Sequence, residues 1–146
     1  MAHFCLLVVS ASPDDLILAL HPYWDDDNEA RRQPHFVFIA DKWSDPDPET
    51  GHRGYWRNPI GKWDGWITGG RWTGLLPDDQ CQTGQVRSLI AAAPQLLDDV
   101  HAMLVNGEWR DMTDGNSSPA AWRSHVLATL NGLPGDAWVT VVDCHC

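Results

Sequence analysis

The apolar positions of this chain fall into short blocks of differing period, separated by one long stretch that has no period. Phe4 to Val9 is wholly apolar and contains two valines, the pattern of a buried strand. Ser12-Pro13 then predicts a helix start: the serine hydroxyl caps the first turn, and proline at the first helical position loses no hydrogen bond. Asp14 and Asp15 suit the positive end of the helix dipole, and Leu16, Ile17 and Leu20 supply a stripe expected to be buried. His21-Pro22 stops this helix after about two turns, because the residue before proline resists the α conformation. Asp25 to Gln33 reads as a charged connection, and His35 to Ala40 has the β-branched and aromatic content of a central strand.

From Asp41 to Asp79 neither period appears, and five tryptophans sit there among many glycines, prolines and charges. Beyond it, Val86, Leu89, Ile90, Ala93, Leu97, Val100 and Leu104 keep helical spacing across Gln85 to Leu104. Pro94 is expected to kink or split that helix, and Asn106-Gly107 to end it. Glu108 to Met112 is a short strand candidate. Ser118-Pro119 repeats the cap-then-proline signal for a helix with Trp122, Val126, Leu130 and Leu133 on one face and Gly132 near its end. A turn at Leu133 to Asp136 leads into a last strand, Trp138 to Val142.

The predicted class is therefore α+β. The expected architecture is a sheet of about four strands with two or three helices on one face, in ferredoxin-like order. A long Trp/Gly-rich insertion at about 41–84 interrupts it, and long ordered loops are disproportionately functional. At 146 residues the chain has the size of one domain, 1–146.

Composition changes this picture in two ways. Twenty acids against ten bases give a formal charge of −10, which argues against direct contact with a nucleic-acid backbone and permits a basic surface on a partner protein. Nine tryptophans exceed what core filling needs, since each buries a large area and brings an N–H to satisfy. Four cysteines, with no basic leader and no apolar run long enough to span a membrane, are expected as reduced thiols in the cytoplasm of a bacterial host.

The richest chemistry lies between Tyr55 and Trp72. Asn58-Pro59, Lys62-Trp63-Asp64, Trp66 and Gly69-Gly70-Arg71-Trp72 interleave charges, indoles and glycines at fixed short spacings. Glycines allow positive φ and close backbone approach, arginine offers a planar fork for phosphate or carboxylate, and indoles stack on a base or sugar. With the terminal Val142-Asp143-Cys144-His145, this pattern resembles a family of small uncharacterised proteins of bacteria and their phages. The resemblance spans most of the chain and implies a context, a phage-type accessory protein with an anti-defence role, and no mechanism.

Three readings follow from the residues. The first is a binding protein that takes a small anionic or nucleotide-like ligand. Its pocket would be Trp63, Trp66 and Trp72 around Lys62 and Arg71, with Asn58, Asp64, Gly69 and Gly70 beside them; in the phage-type setting it would sequester a host immune signal. The second is an acidic inhibitor that caps a basic host protein. The third is an enzyme, a hydrolase or transferase at a phosphate or glycosyl centre. In a terminal strand Asp143 and His145 share one face, roughly 6–7 Å apart at Cα. If the insertion folds back over that end, His145 becomes acid or base beside Asp64, with Arg71 steadying charge. A divalent metal on Asp64, Asp143 and His145 is a variant of this third reading. The C-x-x-C, H-x₃₋₅-H, G-x-G-x-x-G, G-x-S-x-G and H-E-x-x-H spacings are all absent, and no cofactor is expected. The plainer alternative is that Asp64 pairs with Arg71 or Lys62 to brace a loop over a small tryptophan core.

Overall fold

A computed structural model of the protein describes residues 2–25, 36–116 and 118–146. Among these residues the elements run β1 (His3–Ser10), α1 (Leu16–Leu20), β2 (Val37–Ala40), β3 (Gly54–Arg57), β4 (Gly65–Thr68), β5 (Gln80–Gln82), α2 (Thr83–Ala92), β6 (Val100–Val105), β7 (Glu108–Asp111), α3 (Pro119–Gly132) and β8 (Trp138–His145). Mixed α and β content is as expected. No helix of the described residues is long and apolar enough to cross a membrane.

β1 is apolar from Phe4 to Val9 because both its faces are covered. It pairs in parallel with β6 and antiparallel with β8, and successive side chains enter two different cores. Cys5, Leu7 and Val9 join Val86 and Ile90 of α2 and Trp122, Val126 and Leu130 of α3. Leu6 and Val8 join Leu16 and Leu20 of α1, together with Trp63, Val142 and Cys144. Helices therefore lie on both faces of the sheet, and the one-face expectation is corrected. Ile17, assigned to the buried stripe of α1, is exposed.

The sheet has six strands, not about four, in the order β4-β8-β1-β6-β7, with β5 also on β8. The ferredoxin-like order is not what these strands adopt, because β6 lies directly beside β1 and parallel to it. Two misreadings explain the difference. The last five residues of the predicted Gln85–Leu104 helix belong to β6, reached through a 3₁₀ segment over Pro94–Asp99. Asn106-Gly107, read as a helix end, is the two-residue turn of the β6–β7 hairpin, with φ of 52° and 80°.

The excursion at 41–84 carries three short strands. β4 and β5 lie end to end along the free side of β8, Gly65–Thr68 against His145–Val142 and Gln80–Gln82 against Thr140–Trp138. Residues 69–79 loop out between them, entered by the Gly69 N–H bond to the Val141 carbonyl. β2 was expected to be central in the sheet; it instead pairs only with β3, as a separate two-stranded ribbon that exposes Val37 and Ile39. The predicted start of that strand at His35, and all but Asp25 of the charged connection, lie outside the described residues.

Candidate functional site

β8 is an interior strand, flanked by β1 on one side and by β4 and β5 on the other. Val139 and Val141 of β8 face the α2–α3 core, and by strand alternation Asp143 and His145 point the same way, at the end of the strand. Asp143 is only 3% exposed. One of its oxygens, Oδ1, lies 2.8 Å from Nδ1 of His3, and the other, Oδ2, accepts the backbone N–H of Arg71 at 3.0 Å. Burial pushes the Asp143 carboxyl up. The Arg71 N–H, the His3 hydrogen bond and the positive charges of His3 and Arg71 outweigh that and hold it below the usual carboxylate range.

His145 is built into the same corner from the other side. Asp64 Oδ1 sits 2.7 Å from His145 Nδ1, an ion-pair contact whose alignment falls short of a hydrogen bond, while the Asp64 N–H donates to the His145 carbonyl at 2.9 Å. Gly65 lies directly opposite His145, and any Cβ there would overlap the imidazole edge at Cε1 and Nε2. Gly70 has φ +53°, and a Cβ on it would come within 2.5 Å of Asp143. Both glycines are required by the close approach of backbone to these two side chains.

Asp64, Arg71, Asp143 and His145 thus come together, drawn from the middle and the end of the chain. His3 joins them as the residue that sequence reasoning passed over. It stands opposite His145 in the β1–β8 register, with the two rings 5.4 Å apart. Only knowledge that the first strand pairs with the last would have found it.

The other expected ligand residues disperse. Trp63 and Trp66 pack on the α1 face of the sheet, and Trp72 packs against the core on the opposite face, so the three indoles do not surround one pocket. Lys62 turns toward Trp109, its Nζ 5.9 Å from the ring, and lines a separate cleft of about 520 Å³ with Tyr23, Ile60 and Glu108. Asn58 is fully buried as an anchor. Its Nδ2 donates to the carbonyls of Pro22 and Trp24, and its Oδ1 accepts from Ile60 N–H. Gly69 is a turn residue at φ +71°, where a side chain would strike Asp79 and Thr73. Among the described residues no three of His, Cys, Asp and Glu are grouped to hold a metal ion, so the metal variant on Asp64, Asp143 and His145 lacks its ligand set.

No family model, curated protein or solved structure matches this chain. The site alone bears on function.

The thiols nearby are inert by environment. Burial first, then the charges of Asp99 and Asp143, push the Cys5 thiol up to about 12; the Cys144 thiol is also raised, by burial first and then by the charges of Asp143 and Cys5. Neither serves as a nucleophile. The corner offers imidazoles oriented by carboxylates, an arginine on its rim, and backbone held close by glycine.

Proposed function

We propose that this protein is an acid–base hydrolase or transferase acting at a phosphate centre. His145 is the acid or base, Asp64 orients it, and Arg71 steadies the charge that develops on the phosphoryl oxygens. The observation that carries this reading is the convergence at the end of β8, where Asp64 meets His145 at 2.7 Å and the Arg71 backbone meets Asp143 at 3.0 Å.

The glycosyl alternative fits less well. It needs two carboxyl groups facing the sugar, one of them protonated. Asp143 is buried, committed to His3 and Arg71, and held ionised, so it has no proton to give and no open face. The phage-type resemblance would make the natural substrate a nucleotide-like host signal, destroyed by turnover and not merely sequestered.

Replacing His145 by alanine tests the reading. Turnover of an activated aryl phosphate ester should fall by about 10²–10⁴-fold. The melting temperature should stay within about 3 °C, because His145 is part-exposed and contributes little packing. Full activity in that variant, or none in the native protein, sinks the proposal.

A further inference from the structure

The two histidines are arranged as a matched pair, although only one was legible in the sequence. His3 and His145 stand directly opposite each other on antiparallel strands, and opposed residues of such strands share a face. Each ring turns Nδ1 to its own carboxylate, His3 to Asp143 at 2.8 Å and His145 to Asp64 at 2.7 Å. A carboxylate at Nδ1 fixes the ring's orientation and leaves Nε2 to do chemistry. His3 hydrogen-bonds through Nδ1 alone among the described residues, and the Cε1–Nε2 edge of His145 passes over Gly65, where no Cβ stands in its way. Both side chains are reachable from solvent, with 22% of His3 and 31% of His145 exposed, while Asp143 behind them is sealed. The ring centroids lie 5.4 Å apart with the planes tilted by 46°, side by side on one face of the sheet.

We infer that His3 is a second catalytic residue and that the pair acts on a small phosphodiester, one imidazole taking a proton while the other gives one. This rests on the phosphate-centred reading above. In the step, water attacks phosphorus and a new P–O bond forms. The neutral imidazole Nε2 takes the water proton, and the P–O bond to the leaving alkoxide breaks. The imidazolium Nε2 opposite protonates that alkoxide, and solvent then restores both rings.

Charge decides between phosphate classes. A monoester dianion leaves through a loose transition state that depends on several cations around its oxygens, and Arg71 is the one permanently charged cation shown to act on Asp143, His3 being charged only when protonated. A chain of formal charge −10 also disfavours a dianion, and a polyanion more so. A diester carries a single charge and has a poor alkoxide leaving group. It therefore gains most from a base and an acid used together.

Two diesters separate the roles. Bis(4-nitrophenyl) phosphate expels an aryl oxide that needs no proton, whereas 2′,3′-cyclic AMP expels an alkoxide that does. The native protein should cleave both, and 4-nitrophenyl phosphate at least tenfold more slowly. Of His3→Ala and His145→Ala, one should lose about 10²–10⁴-fold on both diesters. The other should lose as much on the cyclic nucleotide but less than tenfold on the aryl diester. His3→Asn keeps a donor toward Asp143 without a titratable group and should match His3→Ala, which guards against a folding defect. If His3→Asn cleaves both diesters at the native rate, or if the monoester is preferred, the inference falls while the phosphate reading stands. If the native protein cleaves none of the three, both fall.

Discussion

Asp143 concentrates at one residue the costs and gains of the whole site. Its carboxylate is buried where an unpaired charge would cost several kcal/mol, so its partners must be present for the fold to tolerate it. Because its folded pKa is depressed, its stabilising contribution is complete above the unfolded carboxylate value of about 3.9 and is lost as pH falls through the lower folded value. The native protein should therefore lose stability steeply below about pH 4. Asp143→Asn should cost about 1–3 kcal/mol at neutral pH and flatten that acid limb. Urea unfolding between pH 2.5 and 7 measures both effects, and an unchanged acid limb would show that other carboxylates carry it. Asp111 is one such group. Burial raises it, and hydrogen bonds from Thr113 and Trp109 outweigh that and lower it, so the flattening will be partial.

Among elements, the β6–β7 hairpin shows how a local signal is misassigned. Leu97, Val100 and Leu104 have helical spacing, yet Val100–Val105 is a strand covered on both faces, and a buried strand shows no alternation. Asn-Gly between two apolar segments favours a tight hairpin over a helix end, and both residues adopt the left-handed conformation this turn demands. Gly107→Ala should cost about 1 kcal/mol, since the left-handed backbone at φ +80° penalises a Cβ even though nothing lies within 4 Å of it. Thermal denaturation reads this directly, and a neutral or stabilising effect would mean the turn relaxes. The caps were legible by contrast: Ser118 accepts from Ala121 N–H with Pro119 at the first helical position, and Ser12 caps the first turn before α1.

At the scale of the molecule, burial and strand pairing fall off outward from β1 and β8. These strands pair along eight residues and bury both faces, whereas the β2–β3 ribbon pairs along four and carries Trp43, 83% exposed, beside its turn. Side chains, not a core, organise that ribbon: Asp47 accepts from Glu49 and Thr50 N–H and from the Trp56 indole, and Asp41 binds Ser44. Native-state hydrogen exchange should find the slowest amides in β1 and β8, and exchange at 37–57 faster by several orders of magnitude, because local opening there exposes little apolar surface. Equal protection in the ribbon would show that it opens only with the rest of the fold.

The sequence by itself determined what short-range physics controls. The apolar runs became β1 and β8, proline and serine set the starts of α3 and of the 3₁₀ turn before α1, and alternation placed Asp143 and His145 on one face. It also marked Asp64 and Arg71 as chemistry in search of a partner. Tertiary structure alone decided which groups meet. Pairing β4 with β8 carried Asp64 to His145, and pairing β1 with β8 brought in His3. The sheet passing between them put Trp63 and Trp72 on opposite faces and broke up the expected aromatic pocket. Strand pairing here joins residues 74 to 142 positions apart through backbone hydrogen bonds that are alike for every residue type, so no side-chain pattern along the chain records which strands become neighbours.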